Sequence, residues 1–293
     1  MNVAAVVVRW RGGDEIDRCL QSLFTQTGDR LSRIVLVDSG SGDGGAERLA
    51  AAFPEIEVVA LSENRSFAHA ANVGAARSTE DLLFLLNPDT ELEEDVVATL
   101  AAALEERPRS AGVVPLLVNP DGSAQHRWQL RRLPTVARLA TGRSGAPAFA
   151  MPPMEATPVE QPAAAAWLVR RDVWRALGGL DETYAPAWWE DVDFCARLIT
   201  HLGEPGFTAD EGFVVVPDVR VRHQGGSSLQ DLDEAAFLTT FTTNLLRYAA
   251  GHHPDRLRII RTGLRWSLAS RALLRPSRAR VYLVARSAVG TRA

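Results

Sequence analysis

Asp89 ends the stretch DLLFLLNPDT, residues 81–90, in which five apolar residues run unbroken into Asn87-Pro88-Asp89. An apolar run stopped by proline reads as a strand buried on both faces, of the parallel-sheet kind. Such a strand delivers Asp89 to its carboxyl end, where open α/β sheets place their ligands. A carboxylate there can hold a divalent cation, and the cation can hold a diphosphate. Asn, Pro and Asp are also the residues of an ordinary turn. The setting among other clusters favours the site.

In Val37-Asp38-Ser39-Gly40-Ser41 an acid closes a second apolar run, placed to hydrogen-bond a ribose or base, and the glycines let a nucleotide approach the backbone. A capped strand-to-helix loop explains the same residues equally well, and the loop is not the G-x-G-x-x-G of dinucleotide binders. In Glu63-Asn64-Arg65-Ser66-Phe67-Ala68, with Asn72 and Gly74 beyond, Arg65 and a helix N-terminus could face an anionic ligand. The plain alternative is a capped helix packed closely on a sheet. Trp188-Trp189-Glu190-Asp191-Val192-Asp193 puts three acids at a helix start, which suits the helix dipole whatever else they do. Adjacent tryptophans are costly there unless they line something; indole faces stack on sugar rings, and an acid in a half-apolar pocket is a candidate base. His223, before Gln224-Gly225-Gly226-Ser227, is either structural or a partner of Asp89 on a metal.

The elements that must position these groups alternate. Strands are predicted over 3–8, 31–38, 56–61 and 81–86, and helices over 14–26, 43–53, 67–76 and 92–106, with Asp43 capping the second helix. This is an α/β, doubly wound, mostly parallel sheet of Rossmann-like type. Next come a strand over 111–118, a turn at Asn119-Pro120-Asp121-Gly122 opening a hairpin, a strand over 164–169 and a helix over 172–177 stopped by Gly178-Gly179. A helix to Leu202 and a strand pair around Pro217 follow, and then a helix over 231–250 with Phe237, Phe241, Leu245 and Tyr248 on one stripe. Residues 141–161 lack periodicity and read as a mobile loop over the site or a disordered excursion.

At 293 residues, 46% hydrophobic and 23% charged, the chain has ample core for this. Cys19 and Cys195 lie far apart in predicted helices, which argues against a disulfide framework or a Cys-rich metal site and suits a reducing cytoplasm. Met1 runs straight into a strand, so no secretory signal is expected, and no run approaches the roughly 18 apolar residues of a membrane span. No lysine occurs, which removes any mechanism needing one. The net charge of −4 conceals an acidic body and a basic tail, because residues 254–293 hold ten arginines and a single acid, Asp255. That body argues against nucleic-acid binding.

The order and spacing of the clusters resemble the family 2 inverting glycosyltransferases of GT-A fold, particularly their rhamnosyltransferase-like bacterial branch. Val37-Asp38-Ser39-Gly40-Ser41-x-Asp43-Gly44 is similar to V-D-N-x-S-x-D-G, and Asn64-Arg65-Ser66-Phe67-Ala68 with Asn72-Val73-Gly74 to N-x-G-F-(A/G)-x-x-x-N-x-G. Asn87-Pro88-Asp89 stands where the metal motif appears as N-P-D. Gly178-Gly179-Leu180-Asp181-Glu182, Glu190-Asp191-Val192-Asp193-Phe194 and His223-x-Gly225-Gly226-Ser227 are similar to G-G-F-D-E, E-D-x-D-L and H-x-G-x-S. The resemblance implies a nucleoside-diphosphate sugar donor and Mg²⁺ or Mn²⁺. Asp38, Ser39, Asn64, Arg65, Asn72 and Asn87 would bind the donor, Asp89 and His223 the metal, and Trp188, Trp189 and Glu190 the acceptor, with Asp191 as base. By resemblance the sugar is rhamnose from a dTDP donor, and the acceptor a glycan, a polyprenyl-linked lipid or a small molecule. Arg9-Trp10-Arg11 departs from the family's T-Y-N-like triplet, as do Ser66 and Ser39 from its usual glycine and asparagine, which bears on the donor's identity.

The chain divides into a donor-binding half, 1–110, an acceptor half of the same domain, 111–228, and a helical extension, 229–293. In the extension Leu257, Ile260, Leu264 and Leu268 make an apolar stripe beside Arg258, Arg261 and Arg265. It could rest on an anionic membrane from the cytoplasmic side, on the acidic body, or on a second copy in a homodimer. Two rival readings stand beside the enzyme: an inactive nucleotide-sugar-binding scaffold, favoured by the altered first triplet, and a sugar-nucleotidyltransferase, disfavoured by the missing lysine.

Overall fold

The computed structural model describes residues 1–26, 30–205, 207–209, 211–225 and 233–291. Gly226 and Ser227 of the last motif, and Asp231, lie outside the described residues.

The chain opens as β1 (Val3–Arg9), α1 (Glu15–Phe24), β2 (Leu31–Asp38), α2 (Gly45–Ala52), β3 (Glu57–Ala60), α3 (Phe67–Ala76) and β4 (Leu82–Leu86). Every residue of β1 and β4 is buried, as their unbroken apolar runs require. These strands pair in parallel in the order β3-β2-β1-β4, with Val6 opposite both Val35 and Leu85. Ile16, Leu20 and Leu23 cover one face, and Ala68, Ala71 and Ala75 cover the other. Small residues on α3 bring its backbone close: a Cβ on Gly74 would meet Val6 at 2.4 Å. The predicted cap of α2 is displaced by one residue. Its N-cap is Gly44 at φ +74°, while the Asp43 carboxylate accepts from the Gly45 amide at 2.9 Å.

Beyond β4 the sheet is mixed. Leu92 does not begin a helix; Thr90–Leu92 forms the short strand β5, and α4 spans Val96–Glu105. The remaining strands are β6 (Ser110–Val118), β7 (Leu130–Arg131), β8 (Thr157–Val159), β9 (Gln161–Pro162), β10 (Ala166–Arg170) and β11 (Glu211–His223). β10 inserts antiparallel between β4 and β6, so β4 has one parallel and one antiparallel neighbour. β11 runs parallel to β6 as one strand, and its register slips between Val216 and Arg220. The expected strand pair is thus a single strand bulged at Pro217, which cannot donate to the ladder.

The 119–122 turn forms, but only a single bridge, Val118 to Ala124, follows before the short helix α5 (His126–Gln129). The segment expected to be a mobile loop contains short elements. It follows α6 (Val136–Ala140), and Arg138 binds the Ser144 and Gly145 carbonyls across its turn; β8 then pairs with β11, and β9 with β7. α7 (Arg171–Ala176) and α8 (Glu190–His201) complete the body.

The extension folds as α9 (Glu234–His252), α10 (Leu257–Leu274) and α11 (Ala279–Thr291). The predicted α10 stripe faces the body: Ile260, Leu264 and Leu268 are fully buried in a third apolar cluster with Leu139, Tyr184, Trp189, Leu245 and Tyr248. Among the described residues no helix is long and apolar enough to cross a membrane.

Candidate active site

The parallel strands converge on one end of the sheet. β4 ends at Asn87-Pro88-Asp89, and His223 ends β11, which points the same way. Asp89 and His223 are both buried, with Nε2 of His223 at 3.4 Å from Oδ1 of Asp89. Gln125 settles the imidazole's tautomer. Its amide nitrogen donates to the His223 carbonyl at 2.8 Å and to Asn119 Oδ1 at 2.7 Å, so its oxygen faces His223 Nδ1 at 2.8 Å and must accept. Nδ1 therefore carries a proton, and in the neutral ring Nε2 turns a lone pair toward the Asp89 carboxylate. Two acceptors at that distance call for a shared proton or a cation. Trp128 stacks on the ring with centroids 5.2 Å apart.

The Asp38 end is closed by the chain itself. Both Asp38 and Arg9 are 3% exposed; the guanidinium pairs with Asp38 Oδ2 and reaches Asp43 at 2.5 Å. Asp38 Oδ1 accepts from the Ser41 amide at 2.8 Å. Gly45 makes room for this arrangement, since a Cβ there would meet Arg9 Nη2 at 2.2 Å. Burial works against the Arg9 charge, but the two carboxylates outweigh it and hold the guanidinium above its ordinary pKa. Ser39 donates to Asn64 at 3.1 Å, so these two predicted donor residues meet. Asn87 follows β4, and its amide donates to the Ala165 carbonyl at 2.9 Å.

Two predicted donor residues are engaged by the fold. Asn72 holds Leu180 through both its carbonyl (2.8 Å) and its amide (3.0 Å), and its oxygen would lie 2.3 Å from a Cβ on Gly179. It pins α3 to the Gly178-Gly179 turn. Arg65 is exposed, 3.4 Å from His69 Nε2 and 3.9 Å from Glu182. The α3 N-terminus is likewise occupied: Ser66 caps the His69 amide, and the Phe67 amide donates to Pro186.

Asp191 stands at the same end of the sheet as Asp89. Gln161 donates to its Oδ2 at 3.1 Å and the Val192 amide to its Oδ1 at 2.8 Å. A few residues past Gln161, the Ala165 carbonyl holds Asn87, which links the two carboxylates through one turn of chain. Burial raises the Asp191 pKa, and the neighbouring Arg131 guanidinium counters part of that rise. Glu190 is 7% exposed with Oε2 unpartnered among the described residues; burial, then the Asp191 charge, lifts its pKa well above the carboxylate range. A buried carboxyl pair of this kind holds a proton near neutral pH and can take another group's proton once ionised.

The tryptophans do not line this site as expected. Trp189 is 2% exposed, packed on Phe241 and Tyr248 of α9, and Trp188 stands edge-on to Phe237. What they line is the body's contact with the extension. Asp193 is also structural: it binds His252 of α9 at 2.8 Å and Arg197 at 2.7 Å, and Arg197 holds the Leu177 and Gly179 carbonyls.

Among the described residues no three His, Cys, Asp or Glu side chains cluster to enclose a metal. Asp89 and His223 remain as one oxygen and one nitrogen donor. A cavity of about 340 Å³ opens beside Asp89, lined also by Glu15, Arg18, Glu91, Arg222 and Gln224. Sequence reasoning missed Gln125, which orients His223, and Gln161 and Arg131, which hold and charge-compensate Asp191. They belong to no motif and reach the site only through tertiary contacts.

Residues 5–177 match the model of the family described as Glycosyl transferase family 2. The N-acetylglucosaminyl-diphospho-decaprenol L-rhamnosyltransferase of Mycobacterium tuberculosis is 27% identical over 92% of this chain and 90% of its own length. Among solved structures, GalNAc-T7 crystallised with UDP, GalNAc and Mn2+ superposes with TM-score 0.60 at 16% identity, over 82% of this chain and 47% of that one. Residues 1–349 of S. aureus TarS superpose with TM-score 0.54 at 14% identity, over 99% of this chain and 91% of that one. The sheet of mixed direction, the family match and these neighbours agree: the chain belongs to glycosyl transferase family 2 and has a GT-A fold.

Proposed function

We propose that the chain transfers rhamnose from dTDP-rhamnose to a hydroxyl of a polyprenyl-linked acceptor, with Mg²⁺ or Mn²⁺ and with inversion at the anomeric carbon. The sugar and acceptor follow the name of the mycobacterial relative. The observation that carries the reading is the buried Asp89–His223 pair, fixed by Gln125 with its Nε2 lone pair toward the carboxylate, on the same sheet end as Asp191.

Asp89 and His223 would hold a cation that takes oxygen and imidazole donors. When bound, that cation offsets charge on the departing diphosphate. Asp191 takes the proton of the acceptor hydroxyl while that oxygen forms its bond to the anomeric carbon and the bond to the diphosphate breaks. Gln161 and the Val192 amide fix the carboxylate in place, so its orientation is set before the acceptor arrives. A polyprenyl-linked acceptor is confined to a membrane, so the enzyme meets it at a lipid surface, through residues 254–293.

The test is a panel of nucleoside-diphosphate sugars, each with and without Mg²⁺ or Mn²⁺, followed by thermal shift and slow donor hydrolysis on wild type and Asp191→Asn. One donor should stabilise the protein only with metal, and its hydrolysis should vanish in the variant. If a donor binds but the wild type neither hydrolyses nor transfers it, the scaffold reading takes its place; if no donor binds under either condition, both readings fail.

A further inference from the structure

The arginine-rich α10 carries two apolar lines. The inner one, Ile260, Leu264 and Leu268, is buried against the body. The outer one is Ile259, Trp266 and Leu273, spaced every two helical turns, and these are 57%, 72% and 82% exposed. Trp266 lies two residues past Leu264 and thus about 200° round the helix from it. Leu274 extends the outer line at 80% exposure. Arg258, Arg265, Arg275 and Arg280 are exposed around it and form no ion pair among the described residues. The one acid after residue 253 is Asp255, before α10 begins.

We propose that this outer face of α10 docks the enzyme on an anionic lipid bilayer, with Trp266, Leu273 and Leu274 entering the interface and the arginines on the headgroups. The inference rests on the lipid-linked acceptor proposed above and names the surface that meets it. Charge selects the occupant. A symmetric pair of copies joined here would set arginines against arginines, whereas anionic headgroups neutralise them. Large apolar side chains at such exposure, ringed by arginine without acid, make the pattern of an interfacial helix.

The helix is also braced on the acceptor side of the fold. Arg271 and Ser267 both donate to the Thr141 carbonyl, at 2.7 and 3.1 Å, and Gly263 packs on Ala140. Thr141 caps α6, which follows Arg131, the arginine whose charge acts on Asp191. α10 therefore connects the proposed bilayer contact to the segment that leads to the proposed base.

The full-length protein is sedimented with vesicles of phosphatidylcholine alone and of equal parts phosphatidylcholine and phosphatidylglycerol. The protein should partition onto the anionic vesicles and hardly onto the neutral ones, and salt should weaken binding. Trp266→Ser with Leu273→Ser should cut partitioning at least about tenfold, and Arg258→Gln with Arg265→Gln should reduce it several-fold. Donor-induced thermal shift serves as the control for folding and for the donor site, and should match wild type in all variants. Equal binding of wild type and the Trp266→Ser, Leu273→Ser protein overturns the proposal, as does absence from both vesicle types. A concentration-dependent dimer that Trp266→Ser abolishes also overturns it, by giving the face to a second copy. Loss of donor binding with vesicle binding intact would count against the transferase reading alone.

Discussion

Replacing Arg9 with methionine keeps an apolar stem at the end of β1 and removes the guanidinium from Gly45, Asp38 and Asp43. Arg9 and Asp38 are each 3% exposed, so the change strands a buried carboxylate with the Ser41 amide at 2.8 Å as its one remaining donor among the described residues. Breaking a buried pair from one side costs about 3–5 kcal/mol. The Asp43 side chain is 37% exposed, so its bond adds little, and the lower part of that range applies. Asp38→Asn is milder, on the order of 1–3 kcal/mol, because Arg9 keeps Asp43. The double variant removes both charges and should cost less than the two single changes together by at least about 1 kcal/mol. Urea unfolding followed by tryptophan fluorescence reads all three, and Arg9→Met should lower the melting temperature by roughly 6–15 °C. A loss below about 1 kcal/mol for Arg9→Met, or costs that simply add, would refute the view that this pair locks the loop after β2.

Asp191→Asn should lower transfer by about 10²–10⁴ while donor affinity stays within a few-fold, as single-turnover and binding assays would show. Burial holds the Glu190 and Asp191 carboxyls above their ordinary range, and a base must be ionised, so transfer should rise with pH through that raised range instead of levelling off by about pH 5. The same shift has a stability sign: the folded state keeps a proton the unfolded chain has lost, so stability falls as pH climbs from the ordinary carboxylate range toward the raised one. Glu190→Gln should abolish much of that slope and stabilise the protein by on the order of 1 kcal/mol at neutral pH in urea titrations. Gln125→Leu, which frees the His223 ring, should weaken Mn²⁺ binding about 10–100-fold by calorimetry in the presence of nucleoside diphosphate. Asn72→Ala should cost about 1–3 kcal/mol of stability with no change in donor affinity, since Asn72 serves the Leu180 turn.

The doubly wound half was legible because its strands are unbroken apolar runs and its helices carry one buried face, signals that need no tertiary information. The antiparallel β10 was invisible as such, since Ala166–Arg170 reads as a strand in either direction and only its partners fix the sense. Asp89, His223 and Asp191 stood out because each lies at an end of an element beside glycine, proline or another acid. The contacts of Asn72 with Leu180 and of Trp189 with α9 were not legible, because a polar or aromatic residue beside a motif looks the same in sequence whether it turns to a ligand or to the next helix. Arg9 was noticed as a departure from a pattern, but its pairing with Asp38 requires the parallel register that sets the two strand ends side by side.

Trp188 and Trp189 hold φ +72° and +82°, conformations that cost non-glycine residues about 1–3 kcal/mol each. Asn244 of α9 donates to the Ala187 and Trp188 carbonyls at 3.0 and 3.1 Å, and Phe241 and Tyr248 clamp the Trp189 ring. The extension thus acts as a mould in which the strained peptide preceding Glu190 and Asp191 is cast. A chimera that grafts the extension of another glycosyltransferase after residue 233 would receive the wrong mould, and its acids would be misaimed although every one of them was native. Exchanges of acceptor range between such enzymes should therefore carry residues 184–196 together with the helices that shape them.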